Sequence, residues 1–325
     1  MENSPFIFPV ERLDREYLAE AKERSRRSEA DDLPFLREFG LADEVDDKEL
    51  CTLEAVLLFA SENRRVYHSR AGIRVFSVDG LDRDIDDEDR ITMRQFDGPI
   101  MDMLEQVFEY MPTVIRKSTK LFSLFFREMP EYPTDAWREF IINAVAHRDY
   151  GVGGSEIEIW IFEDRIEIES PGGLYNGIAL ESLSKRSFAH SSRNPRLVDV
   201  FSACGLMTET GKGINNAMKI MKKSYLNPPE FVETDIGFKV TMQNSPVFDV
   251  GDPDWEEKVR KLDLNLNQKR ILIINKGYAF SNSDYQQINN CDRDTAYREI
   301  HEIVEKGYIR CEGKGRGLKY YPQVD

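Results

Sequence analysis

The chain has 325 residues, 41% of them hydrophobic and 32% charged, with a formal net charge of −15. That length supports two or three domains with buried cores. The four cysteines, Cys51, Cys204, Cys291 and Cys311, form no CxxC pair, which excludes a disulfide scaffold or a structural zinc finger, and no run of 18 uncharged apolar residues offers a membrane span.

The charge is uneven along the chain. From Lys258 onward 13 Lys plus Arg stand against 9 Asp plus Glu (+4), while the preceding 257 residues hold 31 against 50 (−19). A C-terminal module that meets phosphates, carried by a body that does not, fits this asymmetry. The N-terminus, MENSPFIFPVERLDREYLAEA, places acid ahead of its apolar residues and has no basic leader, so no signal peptide is expected and the thiols fit a cytoplasmic setting.

Residues 12–28 predict a charged helix, and DDLPFLREFG a short one stopped at Gly40. KELCTLEAVLLFASE (48–62) predicts a stronger helix, with Leu50, Leu53, Val56, Leu57 and Phe59 on a broad apolar side. AGIRVFSVDG alternates as a strand does, and LDRDIDDEDR (81–90) is an acidic connector. Residues 97–128 predict a long helical region interrupted near Pro112. Pro133 then suits a first turn, with Thr134 or Asp135 available to cap the next helix.

In that helix Glu139, Asn143 and His147 recur at i, i+4 and i+8 and share one face, apart from the apolar flank of Ile141, Ile142 and Val145. After Gly151, Gly153 and Gly154 the period changes to two. Glu156–Phe162 and Arg165–Glu169 predict a hairpin turning at Glu163–Asp164, with Ile157, Ile159 and Ile161 on one side and Glu156, Glu158 and Trp160 on the other. A polar loop near 186–195, a short helix over PRLVDVFSACG, the bend ETGKG, a helix from about Ile214 to Lys223 and strand in FVETDIGFKVTMQN follow. They complete an α/β layer from about 130 to 245, with helices on one face of a mixed sheet.

From residue 262, NLNQKRILIINKG, SNSDYQQINN and DRDTAYREIHEIVEKG read as three helices, and YIRCEGKGRGLKYYP as a hairpin. That is the order of a winged helix-turn-helix. The expected domains are 1–128, a helical and mixed N-terminal region; 129–250, the α/β layer; and 258–325, the winged helix. Its third helix would offer Arg293, Thr295, Tyr297 and Arg298 to the major groove, and its wing Lys314, Arg316 and Lys319 to phosphates. Asp292, Asp294, Glu299 and Glu302 work against this, Asp292 serving equally as an N-cap. A winged helix used for protein docking is the competing expectation.

The carboxylate, amide and imidazole of the 139–147 face suit a nucleotide site. An amide oxygen serves Mg²⁺, and a carboxylate one turn earlier orients or activates water. ETGKG would bring backbone N–H groups to phosphates, with Lys212 as a point charge. The same three side chains would equally suit a solvated helix face with His147 at its negative end. No GxxxxGK[ST] occurs, so a P-loop is excluded.

The stretch WREFIINAVAHRDYGVGGSEIEIWIFEDRIEIESPGGL, with RNPRLVDVFSACGLMTETGKGI after it, resembles a bacterial and archaeal family of transcriptional regulators labelled ATP-binding, Schlafen AlbA-type or RecG-like helicase C-terminal. The likeness runs from about residue 30 to the end. It implies an α+β multidomain chain: a divergent Bergerat (GHKL-like) α/β sandwich, the fold of gyrase, MutL and histidine kinases, followed by a winged helix. It implies ATP and Mg²⁺ as cofactors, with Glu139 as general base, Asn143 as the Mg²⁺ ligand and His147 beside them. Glu169 and Gly173 stand nearest the acid and glycine that meet adenine, and Gly211 and Gly213 fall at the second glycine box. Glu169 is one methylene longer than the family's aspartate, and Pro171 removes a backbone donor. The AlbA-type domain that opens such relatives is expected to be missing. The resemblance further implies a DNA-binding regulator modulated by nucleotide, homodimeric if its operator is palindromic. A protein-interaction module with a degenerate site, or a weak ATPase, is the alternative; a helicase is not expected, because no motor motif is present.

Overall fold

Apolar residues alternate in IRVFSV, IEIWI and RIEIESP, and these segments form the centre of one six-stranded sheet. The computed structural model describes residues 8–61, 68, 70–83, 88–122, 125–175, 180, 192–207, 213–224, 226–244, 253–276, 279–289, 291–313 and 315–324. The chain divides into two units, 1–244 and 245–325.

In the first unit the sheet runs in the order Glu230–Glu233, Gly237–Gln243, Arg165–Pro171, Ile157–Ile161, Ile73–Val78, Ile91–Phe96. All neighbours are antiparallel except Ile73–Val78 and Ile157–Ile161, which pair in parallel from Ile73↔Ile157 to Ser77↔Ile161. Two strands therefore come from the N-terminal side of the expected 128/129 boundary, and that boundary divides a single sheet.

The period of two sorts the strands into faces. Ile73, Val75, Ile157, Ile159, Ile161, Ile166, Ile168, Val240 and Met242 point to one side and are buried. They share a core with the Ile100–Val114 and Thr134–His147 helices through residues such as Met103, Leu104, Val107, Trp137, Phe140, Ile141 and Val145. The opposite side carries Arg74, Phe76, Glu158, Trp160, Glu167, Glu169 and Lys239. There Phe76 stacks on Trp160 at 4.0 Å between centroids, and Arg83 lies over the Trp160 ring at 4.8 Å. Arg83 also pairs with Glu167 at 2.6 Å and with Glu169 at 3.2 Å. Burial pushes the Glu167 carboxyl up, but hydrogen bonds from Arg165 and Arg83 outweigh it and leave the group below its ordinary range.

Several expectations are corrected. The helix placed over 48–62 begins only at Leu53. Asp46 and Asp47 both adopt positive φ, 50° and 57°, so Ala42–Val45 and Lys48–Cys51 close on a two-residue turn of the kind that suits hairpin twist. Thr52 then caps the Leu53–Phe59 helix by accepting from the Ala55 N–H at 3.4 Å. The charged helix covers Arg15–Arg24 only. The helical region of 97–128 is a helix over Ile100–Val114, three residues of which include and follow Pro112, and then a separate hairpin, Lys117–Phe122 with Phe125–Pro130. Proline cannot donate to the preceding turn, and the β-branched and aromatic residues beyond it favour extended chain. Neither Thr134 nor Asp135 caps the Thr134–His147 helix; its N-cap is Pro133, with no side-chain hydrogen bond.

The second unit contains helices Pro253–Lys261, Leu266–Ile274, Asn282–Asn289 and Arg293–Glu305 and a hairpin of Ile309–Glu312 with Lys319–Pro322. Phe280 bridges Tyr320 and so adds a short third edge. Val259, Ile271, Leu272, Phe280, Tyr285, Ala296, Ile300, Ile303, Ile309 and Tyr320 form its own core. Asn265 and Gln268 exchange side chain for backbone in a capping box.

Candidate functional site

The Thr134–His147 helix buries Trp137, Phe140, Ile141 and Val145 and leaves Glu139, Asn143 and His147 on another face, as their spacing requires. Asn143 Nδ2 donates to Glu139 Oε1 at 2.8 Å and to the Glu139 carbonyl at 2.7 Å. Two acceptors fix the amide's orientation, so Oδ1 turns away from Glu139. Burial raises the Glu139 carboxyl above its ordinary value, partly offset by the Asn143 hydrogen bond.

The helix Gly213–Lys223 packs against this one with its first residue at Glu139. A Cβ built on Gly213 would overlap the Glu139 carboxylate, so a larger residue there would displace that side chain from its present place. The N-terminus of a helix, with its positive dipole end, thus adjoins Glu139. Gly211 and Lys212 lie outside the described residues.

At its C-terminal end the motif helix is held by residues from elsewhere. Asn194, fully buried, donates through Nδ2 to the Ala146 and Arg148 carbonyls at 3.0 and 2.8 Å. Arg148 is buried and donates to the carbonyls of Arg70, Val152 and Ser155, which shapes the loop after the helix. His147 keeps accessible surface, with Ser192 Oγ 3.4 Å from Nδ1; desolvation and then the charge of Arg193 lower its pKa.

The glycine turn at the end of Arg165–Pro171 meets the same region. The Asp149 N–H donates to the Pro171 carbonyl at 2.9 Å, and Gly172, at φ +95°, leaves no room for a Cβ against Asp149. Arg193 pairs with Asp149 at 2.6 Å and donates to the Gly173 carbonyl at 3.0 Å. The glycine turn is thus tied through Asp149 and Arg193 to the C-terminal end of the motif helix, while Gly213 meets that helix at Glu139.

Glu169 does not join them. It lies on the sheet face away from the motif helix, bound by Arg83 and by the Thr234 hydroxyl at 2.9 Å. The neighbouring residue on the helix side is Ser170, whose hydroxyl donates to the Ala144 carbonyl at 2.9 Å. Asp149, Ser192, Arg193 and Asn194 were not singled out from sequence. Asp149 stands inside the HRDYG run, and only its placement beside the glycine turn gives it meaning.

The residues fit a nucleotide with Mg²⁺. Asn143 commits Nδ2 rather than Oδ1 to Glu139, Glu139 supplies a half-buried carboxylate, and Gly213 stands beside it at a helix N-terminus. No cluster of three or more His, Cys, Asp or Glu able to hold a metal occurs among the described residues. A single amide ligand with phosphate oxygens and waters suits Mg²⁺, which seldom takes an all-protein cage.

In the second unit Arg293, Tyr297, Arg298 and Lys319 are exposed. Thr295 is bound to Asp292, N–H at 2.8 Å and hydroxyl at 3.1 Å, as part of a helix cap. Tyr297 packs on His301 with centroids 4.4 Å apart. Glu299 accepts from Tyr285 Oη at 2.7 Å and Asn265 Nδ2 at 2.9 Å, while Glu302 accepts from Gln268 at 2.8 Å and Lys306 at 2.9 Å. These two acids are thus engaged with neighbouring residues. Lys314 and the Arg316 side chain lie outside the described residues.

Residues 154–242 match the family described as "Putative ATP-dependent DNA helicase recG C-terminal". The crystal structure of the DIP2311 protein from Corynebacterium diphtheriae is similar over 98% of this chain, with a TM-score of 0.60 and 19% identity. The chain spans 63% of that protein. No curated protein matches. The first unit thus contains a divergent ATP-binding, GHKL-like domain distantly related to the RecG C-terminal region, within a mixed α/β multidomain chain. No helix among the described residues is long and apolar enough to cross a membrane.

Proposed function

We propose that the chain is a nucleotide-responsive regulator: the first unit binds ATP with Mg²⁺, and the second, a winged helix-turn-helix, binds DNA. The observation that carries the first half is the contact between Glu139 and Gly213, which sets a carboxylate–amide pair at a helix N-terminus. In this reading Asn143 holds the ion through Oδ1, and His147 and the Gly172–Gly173 turn border the rest of the ligand. Glu139, with its raised pKa, is able to take a proton from water, so slow hydrolysis is part of the proposal.

The second half is supported by element order. Three helices, a short edge at Phe280 and a two-stranded hairpin follow the winged pattern. Glu299 and Glu302 are engaged with Tyr285, Gln268 and Lys306, and the Arg293–Glu305 helix exposes Arg293, Tyr297 and Arg298 beside Asp294 and Glu305, so Arg293 and Arg298 are the groups this helix offers to DNA. A homodimer is proposed for a palindromic operator.

Calorimetry with ATP and Mg²⁺ tests the site: Asn143→Ala weakens binding at least about tenfold. Unchanged affinity in that variant refutes the assignment. A gel shift across a salt series tests the other half, since phosphate contacts make affinity fall steeply with salt. DNA binding that ignores salt would favour a protein-interaction module.

A further inference from the structure

We propose that Ser192 is a positioning residue that holds the His147 ring with its single proton on Nε2, so that the ring meets a ligand as a donor. The assignment follows from where each hydrogen can go. Ser192 Oγ lies 3.4 Å from His147 Nδ1, and the Asn194 N–H donates to the same oxygen at 3.2 Å. The hydroxyl has one hydrogen of its own, and Nδ1 is its acceptor when that nitrogen is unprotonated. With a proton on Nδ1 instead, Oγ would accept twice and its hydrogen would have no protein acceptor among the described residues.

The pairing is built into the backbone on both sides. Asn194, fully buried, donates to the carbonyls of Ala146 and Arg148, the residues that flank His147. Arg193 pairs with Asp149 at 2.6 Å and donates to the Gly173 carbonyl at 3.0 Å. The chain after Ser192 is thus tied to the chain around His147 at several points, and the hydroxyl has little freedom to leave the ring. Desolvation and then the Arg193 charge disfavour the imidazolium. A neutral ring whose Nδ1 takes the Ser192 proton offers one N–H, at Nε2, and no acceptor. It suits a ligand oxygen and has no lone pair left to take a proton from water, which leaves that step to Glu139. The consequence for the ligand rests on the nucleotide reading above; the protonation state does not.

The test uses the full chain with isotopically labelled histidine and long-range proton–nitrogen correlation near pH 8. The chain has four histidines, and the His147 signals are those lost in His147→Gln. Wild type shows a neutral His147 ring with the Nε2–H form in about tenfold excess. Ser192→Ala reduces that excess about fivefold, and Ser192→Thr, which keeps a hydroxyl, restores it. Loss of packing alone would not move this ratio. A wild-type ring that is charged, or protonated on Nδ1, overturns the proposal, as does an unchanged ratio in Ser192→Ala. Calorimetry with ATP and Mg²⁺ reads the consequence: Ser192→Ala binds about fivefold more weakly and Ser192→Thr close to wild type. Unchanged affinity in Ser192→Ala overturns the ligand half of the proposal. Absence of binding by wild type removes the nucleotide reading, while the spectrum still decides the protonation assignment.

Discussion

Asn194→Ala removes the amide that closes the C-terminal end of the motif helix. Asn194 is fully buried, and its Nδ2 serves the carbonyls of Ala146 and Arg148 at 3.0 and 2.8 Å. These are last-turn carbonyls with no intrahelical partner of their own. Leaving two buried acceptors unmet costs about 1–3 kcal/mol each. Against this, Asn194 Oδ1 has no hydrogen-bond partner among the described residues, so its removal returns about 1 kcal/mol. A net loss of about 1–5 kcal/mol follows. Urea unfolding of the full chain, followed by the fluorescence of Trp137 in the motif helix and of Trp160 in the sheet, measures it. Asn194→Asp is expected to be worse, since it turns a carboxylate toward two carbonyl oxygens. A loss below about 0.5 kcal/mol for the alanine variant would refute the view that this amide anchors the helix end.

Glu139→Gln is expected to melt higher than wild type near pH 8, with the difference fading toward pH 4. Burial raises the folded-state pKa of Glu139, so its contribution to stability is intact below the ordinary carboxylate range and is lost as pH rises through the folded value. A lower melting temperature for Glu139→Gln near pH 8 contradicts this sign. Tyr285→Phe deletes the hydroxyl that donates to Glu299 at 2.7 Å, and should lower the stability of the second unit by about 1–3 kcal/mol in denaturant titrations while DNA affinity holds. A simultaneous collapse of DNA binding would place Tyr285 or Glu299 in the contact surface. Lys319→Ala should weaken DNA binding alike for all sequences and reduce the salt slope by about one, whereas Arg298→Ala should change sequence preference; the reverse pattern would exchange the wing and helix roles.

The alternation of Ile157, Ile159 and Ile161 made the central hairpin legible, because a strand's burial pattern is written locally. The same parity rule separates Glu169 from Ile168, yet motif alignment placed Glu169 at the base. Distance in sequence hid other features. Arg193 and Asn194 reach Asp149 and Ala146 across more than forty residues, and no local periodicity announces such contacts. Engagement of Glu299 and Glu302 similarly depends on residues from the Leu266–Ile274 and Asn282–Asn289 helices and on Asn265 and Lys306. The Ile91–Phe96 strand carried little signal because it lies at the sheet edge with most residues exposed.

The parallel register between Ile73–Val78 and Ile157–Ile161 sets a limit on dissection of this protein. A recombinant fragment trimmed to residues 154–242 would strip one edge of Ile157–Ile161 and bare its ladder of amides and carbonyls beside isoleucines. Such an edge is a template for other chains, and the excised piece should precipitate or fibrillate instead of folding. A fragment that preserves this sheet has to begin ahead of Ile73.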